Sequence, residues 1–297
     1  MSHLHLALAL GGHHAGATAP WADLAAEAER GLLDFLTLDA PAGPAADELG
    51  AVRAATRLAA ATRSTGLLPV VRAGLSEPGR LATAVEELDR ASGGRAGVLL
   101  QVPVPADEQG WVRAVRRRWS AEGTGPVVAL PGRPGRGPRA LPSSAADLGF
   151  VAPRTTVDVH QLVAAARTEG APRHLLGDLV VVLEDDAARA RDRADLAAAS
   201  LPATAPEGAR VFAGTPSQLA DLALAWRAAG LQGLRLHPAE PLRDLLATTR
   251  GLVPELQRRG AFRRSSSEPG LRDRLRAETA ETADPAEPAG SAERRAA

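Results

Sequence analysis

An alternation constrains this chain more than any other feature. Eight short apolar runs, many of them β-branched, recur between longer stretches whose apolar residues follow helical spacing. That is the pattern of repeated βα units around a parallel sheet. The runs are Leu4–Leu10, Phe35–Leu38, Gly66–Val71, Ala96–Gln101, Pro126–Leu130, Leu148–Val151, Leu175–Leu183 and Leu231–Leu236. Eight such units predict an α/β chain folded as a (β/α)8 TIM barrel, which needs about 250 residues, and the 297 present leave room for tails.

The spacing predicts helices over Trp21–Arg30, Ala46–Thr62, Pro78–Ala91, Asp107–Arg118, Asp158–Thr168, Asp185–Ala199 followed by Ser217–Ala229, and Leu242–Arg259. Between the fifth and sixth runs, Pro131–Pro142 is rich in Gly, Pro and Arg and leaves only a stub for a helix. Gly31 and Gly230 stand where helices should stop, and Thr215-Pro216 reads as an N-cap before an N1 proline. Residues 1–276 are expected to form one barrel domain. From Ala277 to Ala297 almost no large apolar residue offsets the entropy of ordering, so a disordered tail is expected there.

Hydrophobic residues make up 45% of the chain but aromatics only 3%, so the core must pack from small and branched side chains. Basic and acidic residues balance at 35 each, which provides no net field for nucleic acid or anionic lipid. A small-molecule or protein partner is expected instead. The absence of cysteine excludes disulfides, thiolate nucleophiles and cysteine-held metals. Leu4–Leu10 is too short to span a bilayer, and the expected location is cytoplasmic.

Two segments carry a family resemblance. LSEPGRLATAVEELDRASGGRAG, Leu75–Gly97, resembles a stretch of the form EP-x-x-x-A…LD-x-x-S-G-G-R-A-G, with Ser92, Gly93, Gly94, Arg95, Ala96 and Gly97 all matching. Ala213–Leu275 contains GTPSQLADLALAW, LRLHP, VPELQRRGAFR and LRDRL, similar to the closing pattern of the same enzymes. AEAERGLLDF, Ala25–Phe35, also resembles their first βα unit. On these residues the chain resembles the luciferase-like flavin monooxygenase superfamily, in the branch of the nitrilotriacetate, dibenzothiophene sulfone and pristinamycin-type monooxygenases, as a shortened and divergent member.

Read physically, SGGRAG is a helix-to-strand turn with Arg95 pairing or capping. Arg258 and Arg259 read as a solvated face, a partner surface or phosphate ligands.

The resemblance implies an FMN-dependent oxidoreductase, a monooxygenase that takes reduced FMN from a separate reductase and transfers one oxygen atom to a small organic substrate. It also implies a homodimer or heterodimer. The flavin would lie at the carboxyl ends of the strands. There, His13 and His14 follow the first strand and are the catalytic candidates, with His237 after the eighth strand in an equivalent position. Asp39 stands where the family has an acidic residue, and Arg72 where it has a Ser/Thr-rich stretch. The family's Trp-Asn-Val-Val-Thr-Ser is replaced by Val98–Pro103, so Leu99 stands in place of the asparagine, and Gln101 is the candidate substitute. Gly132, Arg133 and Arg136 lie in a shortened segment where the family carries a phosphate loop. These departures leave two further readings open: a flavin-deficient barrel acting as a subunit or binding protein, and a deazaflavin-dependent oxidoreductase.

Overall fold

The computed structural model describes residues 3–11, 21–39, 49–74, 77–119, 125–133, 140–197, 202, 204–266 and 270–275. The elements run β1 (His5–Gly11), α1 (Trp21–Arg30), β2 (Phe35–Asp39), α2 (Gly50–Ala59), β3 (Gly66–Arg72), α3 (Pro78–Ser92), β4 (Gly97–Gln101), α4 (Glu108–Arg116), β5 (Val127–Leu130), β6 (Leu148–Val151), α5 (Thr156–Glu169), β7 (His174–Leu183), α6 (Ala187–Ala197), β8 (Arg210–Gly214), α7 (Pro216–Ala228), β9 (Gly233–Pro238), α8 (Pro241–Ala247) and α9 (Val253–Arg258). Strands β1 to β7 and β9 pair in parallel and close on themselves, because β9 hydrogen-bonds to both β7 and β1. The result is an eight-stranded (β/α)8 barrel. Among the described residues, no helix is long and apolar enough to cross a membrane.

Two differences from the sequence pattern have local causes. β8 is a ninth strand in a stretch with no expected element. It is short and half exposed, so it lacks an apolar run that would mark it. Strand β7 pairs with β6 through His174–Gly177 and then with β8 through Leu179–Leu183, so β8 takes over the edge where β6 ends. The long C-terminal helix is divided by a π-helical turn over Thr248–Leu252. Pro254 follows in the first turn of α9, where its missing N–H would otherwise interrupt the ladder. Of the Pro131–Pro142 stretch between β5 and β6, residues 134–139 lie outside the described ones, and the described remainder forms no α-helix. The tail from 277 onward lies outside the described residues.

The start of β2 shows how turn chemistry can shift by one residue. Gly31 follows α1 as expected, but the left-handed conformation falls on Leu32, with φ of 58°. Gly31 is needed for space instead, since a Cβ there would strike the Thr249 side chain.

Strand side chains alternate between two cores. Outward-facing residues such as Leu6, Leu8, Leu36 and Leu67 pack with the helices. Inward-facing residues form a separate cluster of Ala7, Phe35, Leu68, Leu99, Val127, Ala129, Leu148, Phe150 and Leu176, joined by Leu271 and Leu275 from the C-terminal segment. Strands buried on both faces read as continuous apolar runs, which is why the sequence reveals them. Leu271 and Leu275 plug the amino-terminal mouth of the barrel, and the Leu271 N–H donates to the Gly94 carbonyl.

SGGRAG builds that end of the barrel. Gly93 and Gly94 take φ of 70° and 83° and close the C-terminus of α3. Arg95 is buried and donates to the carbonyls of Ser92, Thr65, Ala59 and Thr62 and to the Thr62 hydroxyl, tying the ends of α2 and α3 together. In VPELQRRG, exposed Arg258 pairs with Glu255, while Arg259 bridges Glu255 to Asp221 on α7 at 2.6 Å.

The floor also carries His174, 4% exposed and edge-on to His5 at 5.8 Å. Burial, with His5 and Arg173 nearby, lowers its pKa to about 4. The unfolded chain therefore binds a proton near pH 6.5 that the native state refuses, and native stability is lost as pH falls from that value toward 4. The loss between pH 7 and pH 5 is expected to be about 2 kcal/mol. Denaturant midpoints at the two pH values should show it in the native protein and show much less of it in His174→Gln.

Candidate functional site

The inward face changes character toward the carboxyl ends of the strands. Continuing the alternation beyond Phe35, Leu68, Leu99, Leu176 and Gly233 brings Thr37 and Asp39, Val70 and Arg72, Gln101, Asp178, and Arg235 and His237 to the upper interior. The polar residues therefore follow from strand parity, which places every second side chain inside.

This upper tier has a closed side and a side whose strand-end residues are half-buried or exposed. On the closed side, Arg235 forks onto Asp178, with Nε to Oδ1 at 2.6 Å and Nη2 to Oδ2 at 2.8 Å. The guanidinium lies 3.7 Å from the centre of the Phe150 ring. His237 Nε2 donates to Asp178 Oδ1 at 3.1 Å, and the Thr204 hydroxyl donates to His237 Nδ1 at 3.2 Å. Burial alone would raise Asp178, but Arg235 and His237 hold it below the ordinary carboxylate range. Burial lowers His237, with Asp178 opposing the shift, so the ring is neutral. An ionised Asp178 requires the Nε2–H tautomer, leaving Nδ1 as an acceptor. Thr204 closes this side from above. A Cβ on Gly11 would run into its methyl group, and His237 is fully buried.

The other side lies over β2 to β4. Arg72 is exposed at the end of β3, and the inward-facing Val70 below it is only half-buried. Arg72 is register partner to Gln101, which is half-buried. Asp39 is half-buried at the end of β2. Burial raises its pKa, with Arg72 and Arg235 pulling against that. Three of the expected residues, Asp39, Arg72 and Gln101, thus share one rim. Leu99 lies a layer deeper and is buried in the inner core.

Arg133 and Gly132 do not join that rim. Arg133 pairs with buried Glu108 at 2.8 Å, and the same carboxylate oxygen accepts the Ser143 N–H. Gly132 lies against backbone, because a Cβ there would strike the Phe150 carbonyl oxygen. His13, His14 and Arg136 lie outside the described residues. Sequence reasoning missed Asp178, Arg235 and Thr204. A signal for the first two existed, since each is a lone charge, of opposite sign, within an apolar strand run.

Comparison with known proteins agrees with this architecture. No protein-family model and no curated protein matches the chain. Solved structures do. DmoA from Hyphomicrobium sulfonivorans is 16% identical with a TM-score of 0.71, the match covering 93% of this chain and 92% of that one. The EDTA monooxygenase EmoA from Chelativorans sp. BNC1 is 17% identical with a TM-score of 0.70, covering 92% and 98%. The coenzyme F420-dependent tetrahydromethanopterin reductase from Methanopyrus kandleri is 13% identical with a TM-score of 0.61, covering 85% and 99%. The chain has the (β/α)8 barrel fold of these structures, the fold that the sequence pattern implies.

Proposed function

We propose that this barrel is a flavin-type oxidoreductase, and that it works as a monooxygenase on reduced FMN. The observation that carries this reading is the rim of exposed Arg72 and half-buried Gln101 and Asp39 at the carboxyl ends of β2 to β4. Arg72 supplies an exposed cation, and it has no ion pair among the described residues. That suits the negative charge of a reduced isoalloxazine ring. Gln101 supplies an amide that both donates and accepts, as the polar edge of the ring requires. When bound, the reduced flavin would supply the reducing electrons for oxygen.

The protein's own residues do the remaining work. Arg72 and Gln101 would orient the ring edge, and the half-buried Val70 side chain would present an apolar surface that excludes water. Asp39, held above the ordinary carboxylate range by burial, can exchange a proton near the rim. The substrate would be a small organic molecule entering over the same side, since Thr204 closes the other. A separate reductase as flavin source and a dimeric assembly belong to the same proposal.

The Asp178–Arg235–His237 network favours a second reading, a barrel without flavin chemistry, because it fills the interior with residues committed to each other. Anaerobic titration of the purified chain with reduced FMN and reduced F420 separates the cases. Saturable binding of FMN, with turnover on admitting oxygen, is the expected result. Preference for F420 would move the assignment to the deazaflavin enzymes, and binding of neither would leave the non-catalytic barrel.

A further inference from the structure

Strand β8 places an apolar surface inside the upper barrel that the Asp178 network does not use. β7 pairs with β6 through His174–Gly177 and with β8 through Leu179–Leu183, so β8 continues the wall above the end of β6. Val211 and Ala213 are the register partners of Val180 and Val182, which share the inward parity of Asp178. Phe212 between them packs with the outer cluster, as that parity requires. Val180 and Val182 are buried, but Val211 is 38% exposed and Ala213 is half-buried. Of the large apolar side chains left exposed among the described residues, Val211 is the one carried by a strand. A lone exposed valine on the outside of a protein needs no explanation. One that faces the lumen beside the carboxyl half of β7 belongs to the surface a ligand meets.

The charged groups on the strands of this wall are committed elsewhere. β6 has none. On β7, His174 lies in the floor and Asp178 is held by Arg235 and His237. On β8, Arg210 has the outward parity of Phe212 and donates to the carbonyl of Arg154, an exposed residue just before the N-cap of α5. Glu184, just past β7, pairs with Arg193 and Arg243. Arg72 is across the barrel, since β7 is the fourth strand from β3 in either direction. A charged group seated against Val180, Val211 and Ala213 would therefore lose water without gaining a partner on these strands. An alkyl group would gain by the same transfer.

We propose that Val211 and Ala213 form the substrate wall of the site and receive the alkyl part of an uncharged small organic molecule, opposite the rim of Arg72, Gln101 and Asp39. Calling that molecule a substrate rests on the flavin reading, whereas the wall exists without it. Val211 is then a specificity-determining residue, because a polar or charged side chain there changes which ligands are held.

The test uses the full chain with carbon-13 in its valine methyl groups, without flavin, and probes of one alkyl length: 1-butanol, butyrate and butylammonium. The Val211 signals, identified by their loss in Val211→Thr, should shift saturably with 1-butanol. Its Kd should lie about tenfold or more below that of either ion. Val211→Asp should weaken 1-butanol about tenfold and leave Tm near the native value, since the side chain is exposed. Should that variant disturb β8, the titrations of the native chain decide. Absence of a Val211 shift with 1-butanol, an ion binding as tightly as the alcohol, or an unchanged Kd in Val211→Asp would each overturn the proposal. Failure of reduced FMN to bind would instead remove the flavin reading and leave these titrations standing.

Discussion

Replacing Asp178 with alanine is expected to cost about 3–5 kcal/mol of stability, the usual result of leaving one partner of a buried ion pair alone. Arg235 is 4% exposed and, among the described residues, Asp178 is the carboxylate it pairs with, so the variant would leave a guanidinium deep in the barrel. His237 would lose the acceptor that sets its tautomer at the same time. For a chain of this size the change corresponds to a fall in Tm of about 6–15 °C, measurable by calorimetry. The double variant Asp178→Leu with Arg235→Met should recover most of that loss, since a hydrophobic pair of similar volume needs no charge compensation. If Asp178→Ala melts within a degree or two of the native protein, the network does not hold the barrel together in the way its burial implies.

Arg72→Ala should behave in the opposite manner, with stability unchanged and binding impaired. Its guanidinium is exposed and makes no ion pair among the described residues, so folding does not depend on it. A charge-assisted hydrogen bond to a reduced flavin is worth about 1.5–3 kcal/mol, so the Kd for reduced FMN should rise about 10- to 150-fold. Arg72→Lys should recover part of the charge term but not the forked geometry. The comparison belongs at low ionic strength, where screening is weakest. An unchanged Kd in Arg72→Ala would remove Arg72 from the binding site.

The barrel is legible in the sequence because burial on both faces makes its strands apolar along their whole length. Leu175–Leu183 and Leu4–Leu10 are examples, and their ends fall within one residue of β7 and β1. Strand β8 is not legible, since its pattern of half-exposed and buried residues resembles a loop. The rim is partly legible. Asp39, Arg72 and Gln101 stand at or just past the last apolar residue of their strands, so locating them needs only the strand ends. The Asp178–Arg235–His237 network needs register as well. Asp178 and Arg235 are 57 residues apart in sequence and meet only because β7 and β9 are neighbours with these two residues paired. Their isolated opposite charges hint at a partnership but do not say which strands adjoin. Thr204 is further from reach, because the described residues 204–209 form neither helix nor strand and carry no periodic pattern.

The position of Leu271 and Leu275 inside the barrel has a consequence for synthesis. These side chains pack among residues such as Phe35, laid down more than two hundred positions earlier. A ribosome that has finished β9 has therefore made every wall of the barrel but not its base. The nascent chain must leave the apolar amino-terminal mouth uncovered until residue 275 emerges from the exit tunnel. Contacts of such long sequence separation form late. Chains interrupted before position 270 should thus be substrates for chaperones and proteases rather than shortened but folded barrels.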